Sequence, residues 1–106
     1  MDLDEGKSTL VRESEFQAKL IKTLKKMFPG CEVLKNDAGY RQGVPDLLIL
    51  FGSHWAMLEV KRSADAPLRP NQQFYVSLYN GMSFAAFIYP ENEEDVLSAL
   101  QSAFAS

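Results

Sequence analysis

Three charged residues stand where the sequence is otherwise most apolar. Asp46 precedes the run Leu47-Leu48-Ile49-Leu50-Phe51, and Glu59 and Lys61 follow the run Trp55-Ala56-Met57-Leu58. A charge in such company is costly unless it is paired or binds a metal. Between the runs lies Gly52-Ser53, with glycine at the first central position, as a two-residue hairpin turn of type II′ prefers. Counted from that turn, Phe51 opposes His54, Leu50 opposes Trp55, and Asp46 opposes Glu59. Directly opposed residues hold their Cβ atoms about 4.5–5.5 Å apart. Lys61 is two residues beyond Glu59 and points to the same face; a slip of one residue would send the two acids to opposite faces. Two carboxylates at that separation repel, and both stay ionised if a divalent cation lies between them. Oxygen ligands suit Mg²⁺ or Mn²⁺, and the backbone carbonyl of Val60 is a further ligand of that kind. Lys61 beside them could orient or help deprotonate a water, or stabilise charge on a phosphate. The same residues also fit a plain salt bridge of Lys61 with one acid at a sheet edge.

The elements that must position these groups follow from periodicity. Residues 1–12 have none and are expected to form a loose arm, leaving 13–106 as a single domain. Ser14 followed by Gln17 resembles a capping box, with a helix starting near Glu15. Phe16, Leu20, Leu24 and Met27/Phe28 then form one apolar stripe, and Pro29-Gly30 ends it. The opposite face carries Glu15, Lys19, Lys22 and Lys26, either a solvated face or a basic strip for a phosphate backbone. Cys31–Leu34 is expected to be a short strand, Lys35–Gly43 a polar loop, Val44–Phe51 a strand covered on both faces, and His54–Lys61 its partner. Residues 62–70 are a loop. Asn71–Asn80 is expected to be helical with Phe74, Leu78 and Tyr75 inward, stopped by Gly81. Ser83–Tyr89 is a strand, Pro90-Glu91-Asn92 a turn, and Glu93–Phe104 a helix burying Val96, Leu97, Leu100 and Phe104. The order is α-β-β-β-α-β-α, an α/β fold.

Composition sets the outer bounds. The 106 residues suit one domain with one core, 46% hydrophobic and 24% charged. No apolar run approaches the roughly 20 residues of a membrane span, so no membrane partner is expected. The acidic start, Met1-Asp2-Leu3-Asp4-Glu5, does not fit a secretory signal. The single cysteine, Cys31, excludes an internal disulfide and suits a reducing compartment. Together these suggest a cytoplasmic location. A net charge of −3 argues against a protein that coats itself with nucleic acid, though a local basic surface could still bind it.

Pro45-Asp46 … Glu59-Val60-Lys61 resembles the signature of the PD-(D/E)XK nuclease superfamily. Gly43-Val44-Pro45-Asp46, Glu15 near the start of the first helix and Gln72 opening the helix after the lysine strand are similar to the virus-type replication-repair nuclease branch, VRR-NUC. The likeness covers roughly residues 13–90. It implies a restriction-endonuclease-like core, a mixed central sheet flanked by helices. It implies Asp46 and Glu59 as metal ligands, Lys61 as the catalytic lysine, Glu15 as an accessory acid and Gln72, or its neighbour Gln73, as support for the site.

The chemistry expected is Mg²⁺- or Mn²⁺-dependent hydrolysis of DNA phosphodiesters. Asn36, Asp37, Tyr40 and Arg41, in the loop entering the Asp46 strand, could contact DNA, with Lys35, Arg62 and Arg69 as phosphate contacts; an ordinary polar loop is the alternative. His54, at the far end of the hairpin, is a turn residue, and Trp55 and the phenylalanines belong to the core. No reader motif such as a zinc finger is present, so structure-dependent cutting is expected over sequence-specific cutting. Stand-alone members of the branch look like Holliday junction resolvases of DNA repair, which implies a homodimer for paired incisions. The alternative function is a non-catalytic nucleic-acid-binding module that keeps the nuclease fold; a structural domain with an ion pair is a third.

Overall fold

The computed structural model describes residues 12–106, in an α/β arrangement of one four-stranded mixed sheet with helices on both faces. The loose arm expected over 1–12 lies, apart from Arg12, outside the described residues. The elements are α1 (Glu13–Met27), β1 (Glu32–Lys35), β2 (Leu47–Phe51), β3 (His54–Val60), α2 (Gln72–Met82), β4 (Phe84–Ile88), a 3₁₀ turn (Pro90–Asn92) and α3 (Glu93–Ala105). The sheet order is β1-β2-β3-β4. The first two pairings are antiparallel, and β4 joins β3 in parallel through the α2 crossover.

The hairpin register is the one counted from the turn. Phe51 pairs with His54, Leu50 with Trp55 and Leu47 with Leu58. Gly52 takes φ +60, and among the described residues Asn71 alone of the non-glycines has positive φ. Ser53 is therefore not left-handed, which fits type II′ and excludes type I′. The β2 strand starts at Leu47 rather than Val44, because Pro45 has no N–H for a ladder.

One sheet face packs against α1 and α3. Leu47, Ile49, Ala56, Leu58, Val60 and Ile88 meet Phe16, Leu20, Leu24 and Phe28 from one side and Leu97, Leu100 and Phe104 from the other. Each aliphatic side chain so buried contributes roughly 1.5–3 kcal/mol. Phe28, Phe51 and Phe104 form an aromatic knot with ring centroids 5.1–5.8 Å apart.

Two expected helix details differ. The α1 helix begins at Glu13, and its N-cap, Arg12, makes no side-chain capping bond. Ser14 is thus inside the first turn, where Glu13 and Glu15 favour the positive end of the helix dipole. The α2 helix runs through Gly81 to Met82, and its inward face is not the expected one. Phe74 is 61% exposed and Leu78 38%, while Gln72 and Val76 are buried and Tyr75 and Tyr79 half-buried. Positions 72, 75, 76 and 79 and positions 74, 78 and 82 are both helical stripes. Period alone does not choose between them; the hydrogen bonds of Gln72 do.

Among the described residues, no helix is long and apolar enough to cross a membrane.

Candidate active site

The ends of β2 and β3 bring Asp46, Glu59 and Lys61 to one cleft of about 470 Å³. Asp46 lies one step beyond the last pair of the hairpin, Leu47 and Leu58. Its backbone carbonyl accepts the Asn36 N–H at 2.8 Å, and its Oδ2 accepts the Val60 N–H at 2.9 Å. The carboxylate thus takes the place of the carbonyl that would have continued the ladder. Val60 itself faces Pro45, which offers no N–H, so its carbonyl is not met by β2 on that side.

Glu59 is 3% exposed. Its Oε2 accepts a hydrogen bond from Gln72 Nε2 at 2.8 Å, and its Oε1 is buried without a partner among the described residues. Burial first, then the negative charge of Asp46, push the Glu59 carboxyl up to about 8; Lys61 opposes the shift, while the charge of Glu13 adds to it. Both acids line the one cleft, with Asp46 hydrogen-bonded to the residue that follows Glu59.

Lys61 is also buried, at 6% exposure. Its Nζ donates to Gln72 Oε1 at 2.6 Å and to the Pro67 carbonyl at 3.1 Å. Both acceptors are neutral, unlike the plain salt bridge that its position also allowed. Gln72 is the hub: its amide nitrogen holds Glu59, and its oxygen also accepts the Arg69 N–H at 2.8 Å. Of the two glutamines, Gln72 lines this cleft, while Gln73 is exposed and lines a separate hollow with Lys61, Phe87 and Tyr89.

The loops behind the cleft are locked together. Gly43 has φ +94. A Cβ there would stand 2.6 Å from Asn71 Cβ and 2.9 Å from the Pro70 carbonyl. Glycine is therefore required on two counts, conformation and space.

Of the remaining residues, Arg69 lines the cleft; Glu15, Lys19, Lys22, Lys26, Lys35 and Arg62 are exposed and do not line it. The acid at the cleft is Glu13, not Glu15. Glu13 lies seven residues before the buried Leu20 and three before Phe16, in line with the apolar stripe, so helical period was the signal for it. Asn36 donates its side-chain amide to the Pro45 carbonyl at 2.9 Å, which makes it a brace for the Asp46 strand. Tyr40 and Arg41 line a second cleft beside the first. His54 lies at the opposite end of the hairpin, against Phe104 and the Ser106 carbonyl.

Two carboxylates, one of them with an oxygen buried without a partner among the described residues, and the Val60 carbonyl at the strand end form an oxygen donor set suited to a hydrated Mg²⁺ or Mn²⁺, which keeps several of its waters. Among the described residues no group of three or more His, Cys, Asp and Glu stands ready to hold a metal by itself. Compared with family models, curated proteins and solved structures, the chain shows no match.

Proposed function

We propose that the chain is a Mg²⁺- or Mn²⁺-dependent deoxyribonuclease of the PD-(D/E)XK kind, similar to the VRR-NUC branch, with a restriction-endonuclease-like core. The observation that carries this is Glu59: an acid buried in the same cleft as a second acid, with one oxygen lacking a partner among the described residues. A carboxyl so placed is at a disadvantage in the protein alone, and a divalent cation removes the disadvantage. Asp46, Glu59 and the Val60 carbonyl would hold the ion, which when bound polarises a phosphate and activates a water.

The chain's own residues do the rest. Gln72 and Pro67 fix the Lys61 ammonium, so its charge is in place before substrate arrives and costs no reorganisation. A fixed cation beside two acids suits the phosphate that flanks the scissile bond. Arg69, at the cleft wall, is a second phosphate partner. Glu13 adds negative charge at the same rim. The substrate we favour is branched DNA or a four-way junction, cut by a homodimer.

Cleavage tests this directly. The protein is incubated with junction, flap, nicked and linear DNA in Mg²⁺, Mn²⁺ or EDTA. Metal-dependent cutting is expected, with Asp46→Ala and Lys61→Ala each lowering it by about 10² or more. Cutting that survives both EDTA and Asp46→Ala removes the metal mechanism. No cutting of any form, with binding retained, leaves a nucleic-acid-binding module.

A further inference from the structure

The loop from Asn36 to Pro45 is a ridge between two clefts. Ala38, Gly39, Gln42 and Gly43 line the acidic cleft, Asn36, Asp37, Tyr40 and Arg41 line the second, and Val44 lines both. The second cleft has a volume of about 520 Å³, within the range of small-molecule sites, roughly 300–1,000 Å³.

Its walls carry two tyrosine rings, the Arg41 guanidinium and the Asp37 carboxylate. Tyr40 is 83% exposed, the most exposed large aromatic side chain among the described residues. The Arg41 guanidinium lies 6.0 Å from the Tyr40 ring centroid and 5.9 Å from that of Tyr75. One of its nitrogens donates to the Tyr79 hydroxyl at 3.4 Å, and among the described residues its other N–H groups make no further hydrogen bond. Tyr75 and Tyr79 stack on each other with centroids 5.9 Å apart, and Trp55 meets Tyr79 edge-on. The ridge is itself held in shape. Asp37 Oδ1 accepts the Gly39 N–H at 2.8 Å, the Asp37 carbonyl accepts the Tyr40 N–H at 3.1 Å, and Asn36 braces Pro45 at 2.9 Å. Tyr40 is thus presented to solvent by an ordered loop while contributing little to the core.

An exposed ring beside an anchored guanidinium is the equipment that stacks an unpaired nucleobase. Bases inside a duplex are already stacked and do not reach such a cleft. We propose that the second cleft takes an unpaired base of single-stranded DNA, next to the phosphate held at the acidic cleft. The inference rests on the nuclease reading for the identity of that neighbouring phosphate. It names the substrate class more narrowly: strands that expose an unstacked base beside the cut, as flaps, ends and open junction centres do.

Binding separates the two. A single strand carrying 2-aminopurine, and its blunt duplex, are titrated with the protein in EDTA, and the fluorescence gives each affinity. Tyr40→Ala is expected to weaken single-strand binding about tenfold, with duplex binding changed less than about twofold. Tyr40→Phe restores the single-strand affinity, because the ring and not the hydroxyl does the stacking. The inference is overturned if Tyr40→Ala binds the single strand like the wild type, if it loses both forms equally, if Tyr40→Phe fails to restore binding, or if neither form binds. Cleavage of blunt duplex in Mn²⁺ is measured beside it. Cleavage together with Tyr40-independent binding sinks the base cleft and leaves the nuclease; Tyr40-dependent binding without any cleavage does the reverse.

Discussion

Glu59 gives the site a pH signature. Its carboxyl is raised in the folded chain, from an ordinary value of 4.5 to about 8, by burial and by Asp46. Below pH 4.5 it is protonated whether the chain is folded or not, and it costs nothing. As pH rises from there the unfolded chain ionises while the folded chain resists, so stability falls until pH reaches about 8. The upper bound of the loss is about 5 kcal/mol, since each tenfold difference in proton affinity between the folded and unfolded chain is worth about 1.4 kcal/mol. Thermal melts in EDTA are therefore predicted to be lower at pH 8 than at pH 5, Glu59→Gln to flatten the difference, and Mn²⁺ to raise the wild-type melt at pH 8 but not that of Glu59→Gln. Glu13→Gln narrows the window, because Glu13 adds to the repulsion; Glu15→Gln leaves it alone. A wild-type profile as flat as that of Glu59→Gln would remove the buried-acid account. Asp46, Glu59 and Lys61 were legible in the sequence because a single turn glycine fixed their register. Glu13 was equally legible in the helical period, whereas Glu15, named on resemblance, lies about 100° off the stripe of Phe16.

Elements place these residues only if the loops between them stay together. The loop before β2 and the loop before α2 touch at Gly43 and Asn71, with no room for a Cβ. Gly43→Ala is predicted to cost about 1–3 kcal/mol, through backbone strain and forced separation of the loops, and to lower cleavage more than stability, because the second loop carries Pro67 and Arg69 and leads into Gln72. Gly52→Ala is the control. It also has positive φ, but nothing lies within 4 Å of its added Cβ, so it costs about 1 kcal/mol and leaves the cleft unchanged. Urea melts and cleavage rates on both variants check the pair; equal effects on cleavage would mean the loop contact does not shape the site. Strand order and hairpin register could be read in advance because turn chemistry and alternation are local. The rotation of α2 could not, because two apolar stripes compete on it. A buried amide bonded to Lys61 and Glu59 decides between them, and those partners are 11 and 13 residues away.

Across the whole molecule, charge and symmetry bear on the substrate. The net charge is −3, and Lys19, Lys22 and Lys26 form an exposed strip on α1, away from the cleft lining. Contacts that join distant segments were the least legible part: Arg41 and Tyr79 are 38 residues apart, and no local period announces their meeting. On the proposed nuclease reading, one acidic cleft would cut one strand at a time. Resolving a four-way junction needs two cuts related by the junction's two-fold symmetry, so the proposed resolvase would act as two copies facing it through an isologous contact. Sedimentation of the protein with a four-way junction in EDTA is predicted to give two chains per junction. The complex should weaken steeply with salt, since each phosphate neutralised adds about 0.9 to the slope of log affinity against log salt. Reversing the charge of Lys19, Lys22 and Lys26 should shallow that slope if the strip lies on the backbone, and leave it unchanged if the strip is only a solvated face. One chain per junction, with cleavage intact, would reduce the proposed resolvase to a nicking enzyme that needs no partner.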